Sequence, residues 1–164
     1  MAALTRLEDK IGEVIGLAMA SQIATKLVAE LTRGVDPDLA ERLDEMKDES
    51  AETEGRATEF ADAFEGKRSD VLARAVEVRT RSIGLLTSYL DNDSDALDGL
   101  EFLTMSVAAE VAHWSVLTQF NVRLEDEDLA DLLAWSMPTQ MGHLQLVLEA
   151  SRELAAEFDP ETVA

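Results

Sequence analysis

Leu39, Leu43, Met46, Ser50, Thr53, Ala57, Phe60 and Phe64 follow one another at alternating steps of four and three residues. Those steps trace one stripe along an α-helix, and holding them for nearly four heptads excludes a strand, whose faces alternate every two residues. The same rhythm returns in Leu100, Leu103, Val107, Glu110, Trp114, Leu117 and Leu124, and again in Leu129, Leu133, Ser136, Gln140, His143, Val147, Leu154 and Phe158. An earlier stretch, about Leu4 to Arg33, has Leu7, Ile11, Val14, Ala18, Val28 and Leu31 on one side. A shorter one, about Asp70 to Leu90, is apolar at Leu72, Val76, Ile83 and Leu86.

Only three prolines and eight glycines punctuate this pattern. Gly34 is expected to end the first helix, and Asp36 followed by Pro37 is the N-cap and first-turn proline of the second. A break is expected between Gly66 and Ser69, and a fourth helix over about Ala96 to Arg123. The acidic turn Glu125 to Asp128 precedes a fifth helix, which Pro138 should kink or restart near Met137. Asp91-Asn92-Asp93-Ser94-Asp95 begins like a calcium loop but lacks glycine at its sixth position and glutamate at its twelfth, so it reads as a turn with a helix cap. Four helices of about 28 to 33 residues span ~40 to 50 Å. Short connections require neighbours to pack antiparallel. The expected fold is all-α: an antiparallel bundle of four long helices with an additional crossover helix near 70–90, as a single domain over residues 1–164.

Composition narrows the function. Thirty-four acidic against fourteen basic residues give a net charge of −20. Such a field repels phosphate backbones and anionic lipid, so neither nucleic acid nor a membrane is an expected partner. Arg outnumbers Lys, which occurs only at Lys10, Lys26, Lys47 and Lys67. A dispersed acidic coat poor in lysine is similar to that of proteins from salt-accumulating microbes, where molar salt screens self-repulsion. Met1 to Lys10 includes Glu8 and Asp9 and does not read as a signal peptide. No apolar run is judged to approach the ~20 residues of a membrane span, and a cytoplasmic location is expected. With no cysteine, thiolate metal sites and thiol nucleophiles drop out. No phosphate loop or nucleophilic triad is present, and Trp114, Trp135 and the methionines read as core.

The residues with chemistry to offer stand where apolar ones are expected. Glu110, Gln140 and His143 lie on core stripes, and a polar group there must find a partner, a water or a metal. Glu110-Val-Ala-His113 and Gln140-Met-Gly-His143 each set two potential ligands three residues apart on a helix. Glu110 lies fifteen residues before the turn at Glu125 and Gln140 fifteen after, so an antiparallel hairpin brings them to one level. Similar arithmetic sets Gln22 opposite Glu49, with Glu52, His113 and His143 within a turn of that level.

This arrangement resembles the carboxylate bundles of the ferritin and rubrerythrin superfamily. The likeness is nearest to the stress-associated YciF-type proteins, whose crossover is also helical. The family plan takes one Glu from the first bundle helix, Glu-x-x-His from the second, Glu from the third and Glu-x-x-His from the fourth. The resemblance sets Gln22 at the first Glu, Glu49-Ser-Ala-Glu52 at the first Glu-x-x-His, Glu110 at the third-helix Glu with His113 as an additional nitrogen, and Gln140-x-x-His143 at the last motif. Two expected glutamates are therefore glutamines and one expected histidine is Glu52. Glutamine is neutral and cannot bridge two cations, so the resemblance implies a degenerate site for at most one divalent ion such as iron, zinc or manganese. That site would lie in a homodimer with a stress or metal-handling role. No metal at all is an equal expectation. The layer is then a hydrogen-bonded network setting register in a non-catalytic helical assembly protein.

Overall fold

A computed structural model describes residues 3–161, and they form five α-helices joined by turns. The helices are α1 (Arg6–Thr32), α2 (Pro37–Ala61), α3 (Arg68–Tyr89), α4 (Ala96–Leu124) and α5 (Glu127–Ala155). Caps set their starts. Thr5 and Glu8 form a reciprocal capping box on α1, and Asp36 accepts from the Leu39 amide with Pro37 in the first turn of α2. The acidic loop at 91–95 is used up in structure: Asp91 Oδ1 accepts from the Asp93 amide, and Asp95 caps α4 through the Leu97 and Asp98 amides. At the α4–α5 turn Glu125 adopts a left-handed φ of 53°, and Asn121 holds Asp126 with two side-chain hydrogen bonds. α1 ends just before Gly34, as expected, although Gly34 takes no left-handed φ. The end of α1 is bonded instead through the Thr32 carbonyl, which accepts from the Val35 and Asp36 amides.

α1 is the hub, packing on α2, α3 and α4, while α5 packs on α4 and α2. The core falls into two clusters. Toward one end Ile11 and Ile15 meet Trp114, Leu117, Ala57 and Leu133. Toward the other Val28 meets Leu43, Leu100, Leu103 and Val147. These pairings run α1 antiparallel to α2 and α4, and α2 antiparallel to α5. An 18-residue window of α1 has a hydropathy of 1.4, so by length and composition this helix could cross a membrane, which the sequence reading missed. Within the fold 56% of that window is buried, with α2, α3 and α4 as neighbours.

The register of α3 departs from expectation. Val71, Ala75, Val78 and Leu86 are buried, whereas Val76 is half exposed. The cause lies in α1, where Gly12 and Gly16 form a shallow trough. A Cβ on Gly16 would sit 2.3 Å from the Ala75 carbonyl oxygen, and one on Gly12 2.8 Å from that of Val71. Backbone meets backbone, so the small Ala75 faces inward and the bulkier Val76 turns out. Pro138 does not restart α5, which runs unbroken past it. Proline removes one hydrogen bond, but leucines on one side and Val147, Ala150 and Leu154 on the other keep both halves packed, and Thr139 Oγ1 donates back to the Trp135 carbonyl. The inward stripes hold as expected within α2, α4 and α5, but Leu124 at the end of α4 is half exposed, the half-exposed Phe158 lies past the end of α5, and Phe64 lies past that of α2. Trp114 and Met46 are core. Trp135 is only partly buried, with the Arg56 guanidinium 4.2 Å over its ring, and Met105 and Met141 are half exposed.

Replacing Gly16 by Ala should cost on the order of 1–3 kcal/mol, because the obstacle is a backbone carbonyl that cannot swing away. Gly55→Ala, at a helical position with open space around it, should raise stability by up to about 1 kcal/mol. Denaturant midpoints of the two variants would check the contrast.

Candidate functional site

Between the two apolar clusters lies a polar layer to which four helices contribute. Its buried members are Ser21 and Thr25 from α1, Ser50 and Thr53 from α2, Glu110 from α4, and Ser136, Gln140 and His143 from α5. Hydroxyls on α2 are answered within their own helix: Ser50 Oγ donates to the Met46 carbonyl and Thr53 Oγ1 to that of Glu49. Others are not. Glu110 Oε1, both amide atoms of Gln140, His143 Nδ1, Thr25 Oγ1 and Ser136 Oγ have no hydrogen-bond partner among the described residues. Buried polar atoms of this kind cost free energy unless a water or an ion meets them.

Glu110 is 1% exposed. Burial pushes its carboxyl up to about 7, opposed by a hydrogen bond from Ser21. His143 is 3% exposed, and its Nε2 lies 2.7 Å from Glu49 Oε2. Burial lowers the imidazole and Glu49 draws it back up. An ionised carboxylate can only accept, so in neutral His143 the Nε2–H donates to Glu49 and Nδ1 keeps its lone pair. This is the outer-shell arrangement that orients metal-binding imidazoles elsewhere. A cleft of about 300 Å³ between α2 and α5 reaches His143 from outside, with Glu45, Glu49, Pro138 and Gly142 in its walls.

The remaining residues nominated from sequence lie elsewhere. Glu49 is half exposed and touches the layer only through His143. Gln22, one position past Ser21, is rotated out to the α1–α2 seam, where it donates to Glu54 and to the Ala18 carbonyl. Glu52, one position before the buried Thr53, is exposed and pairs with Arg56. His113 is turned about 60° around α4 from Glu110 by its three-residue offset. It joins Lys10 and Glu13 on the α1–α4 seam, where Arg74 of α3 also reaches Glu13. His113 is pushed down by burial first and by the Lys10 charge next. Among the described residues no group of three or more His, Asp or Glu side chains converges in a way that could hold a metal ion. Ser21 and Thr25 went unnoticed in the sequence, and Ser136 was read on the α5 stripe but not as a member of the polar layer.

No protein-family model, no curated protein and no solved structure matches the chain.

The Glu110 carboxyl leaves a signature in stability. Its folded value is raised, so between the unfolded 4.5 and about 7 the native state holds a proton that the unfolded chain has released. Its contribution is present below pH 4.5 and falls as pH rises to 7, by roughly 3 kcal/mol in all. His143, lowered in the fold, works in the opposite direction just below 6.5. Glu110→Gln should abolish the first trend and gain on the wild type as pH rises. Urea unfolding at intervals from pH 4.5 to 8 would check this.

Proposed function

We propose that this chain is a ferritin-like bundle in which a two-metal centre has been reduced to a polar layer able to hold a single divalent cation, in a metal-handling or stress-related setting. The order of helices supports the reading: α1 and α2 form one hairpin, α4 and α5 another, and α3 passes along α1 between them. A two-metal carboxylate centre does not fit the donor set, because such centres draw several carboxylates into the bundle and here Glu110 is the acid within the layer. One ion is a better match. His143 Nδ1, Glu110 and the Gln140 amide oxygen would be its protein donors, with water completing the shell.

The observation that carries this proposal is the buried, unpartnered Nδ1 of a histidine whose other nitrogen is held by a carboxylate at the mouth of a solvent cleft. A cation bound there would supply Lewis acidity and would favour the ionised form of Glu110. The chain's own part is to hold the imidazole in one tautomer through Glu49, to supply one negative charge at Glu110, and to admit small solutes past Gly142. A second reading, that the layer serves only register and local polarity, is favoured by the absence of a three-carboxylate-or-histidine grouping among the described residues.

Titration of the apo protein with Mn²⁺, Zn²⁺ and Fe²⁺, followed by calorimetry and elemental analysis, should give one ion per chain. Glu110→Gln and His143→Ala should each weaken binding at least about tenfold, the scale on which loss of a ligand or its orienting partner acts. Gly142→Leu meets open space on the cleft side of α5 and should slow loading without changing stoichiometry. Absence of stoichiometric binding, or binding indifferent to His143 and Glu110, would leave the register reading standing.

A further inference from the structure

Charge is unevenly spread over this acidic molecule. α2 carries nine acidic and three basic residues. From Phe102 to Val122, by contrast, α4 holds one ionised-type residue, the buried Glu110, besides His113, in a chain that is 29% charged. Its outward side is uncharged for about 30 Å at 1.5 Å per residue, and it exposes Met105 at 50%, Val116 at 39% and Val122 at 65%. Beside it a groove of about 300 Å³ opens toward α3, walled by Leu17, Ile83, Leu85, Tyr89, Phe102 and Met105. Leu85 on its rim is 63% exposed. The strip is uncharged and not wholly apolar, with Ser115, Thr118 and Gln119 among its exposed residues, but exposed apolar side chains beside an apolar groove mark an interaction surface more often than bare surface.

We infer that the outer face of α4, together with the α3–α4 groove, is where two copies of this chain associate. The charge pattern selects the occupant. A partner drawn by electrostatics would be basic and would settle on α2, leaving the uncharged strip bare. A second copy brings the same uncharged strip. It also keeps the acidic helices apart: α2 and α4 each pack against α1 and α5 and so lie across the bundle from one another. Joining two bundles through α4 puts the two α2 helices on opposite outer sides, separated by several 8–10 Å helix layers and well beyond the ~8 Å screening length. α3, flanking the strip, has four arginines against Asp70 and Glu77, which lowers the negative field at this face.

Shape agrees with a two-fold pair. The outward residues of α4 read large, small, small, large: Met105, Ala109, Ala112, Val116, symmetric about the position between Glu110 and Val111. Laid antiparallel on itself, α4 sets each Met105 against the partner's Val116 and lets the backbones approach over the alanines, as an isologous interface requires. Strip and groove together span about two helix diameters, giving on the order of 600 Å² per copy, close to the ~800 Å² of a standard interface. The inference rests on surface charge and shape and stands whether or not the polar layer binds an ion.

Sedimentation equilibrium tests it. The wild type should show twice the 18.0 kDa chain mass, with tighter association in molar salt than near ~0.1 M, where repulsion between the acidic chains is least screened. Ala112→Glu should weaken association at least about tenfold with helicity unchanged by circular dichroism. Ala51→Glu, the same change on the exposed side of α2, should leave the pair intact. If Ala112→Glu loses helicity, the exposed and uncharged Met105→Gln takes its place with the same expected weakening. A wild type of single-chain mass in molar salt, a pair indifferent to these α4 changes, or equal disruption by Ala51→Glu would overturn the inference.

Discussion

Burial of an acid at the middle of the bundle is the constraint to which the rest answers. Transfer of the Glu110 carboxyl from water into the space between four helices penalises its charged form, which is why its pKa rises to about 7. The neighbours at that depth are hydroxyls, an amide and an imidazole, and they divide the apolar core into two clusters. Sliding either hairpin by one turn would press Glu110, Gln140 or His143 into hydrocarbon with no polar neighbour, at a cost in free energy.

That layer can exist because α1 carries so much of the packing around it. With α2, α3 and α4 all against it, α1 meets neighbours on several sides and can give only Ser21 and Thr25 to the polar level. Its trough at Gly12 and Gly16 brings α3 to backbone contact with it. The polar layer is enclosed by α1, α2, α4 and α5 alone. α3 contributes surface: the arginines and the groove beside α4.

Much of the fold was legible because helical periodicity is a local property. The stripes of α2, α4 and α5 needed only the spacing of Leu, Val and Trp, and caps such as Asp36 were read from adjacent residues. The level shared by Glu110 and Gln140 followed from counting outward from a tight turn, and both are buried. Angular position around the helix was harder. Glu52 and Gln22 each sit one residue from a buried hydroxyl, and a step of 100° is enough to move a side chain from the interior to a seam or to solvent. His113 shows the same limit, because a three-residue spacing marks one broad face and not one direction. The α3 register failed for another reason: its apolar residues fit two faces, and the choice was made by glycines on a different helix.

The sequence by itself determined that the chain is helical, where its helices begin, which stripes of α2, α4 and α5 turn inward, and that Glu110, Gln140 and His143 stand among apolar neighbours. These follow from local periodicity, capping chemistry and turn length. Tertiary structure decided that Glu49 reaches His143, that Gln22, Glu52 and His113 face elsewhere, and that α4 presents an uncharged strip across the bundle from the acidic α2. Each of those depends on which helices become neighbours and at what rotation. Packing between residues far apart in the chain sets both, and no single segment contains that information.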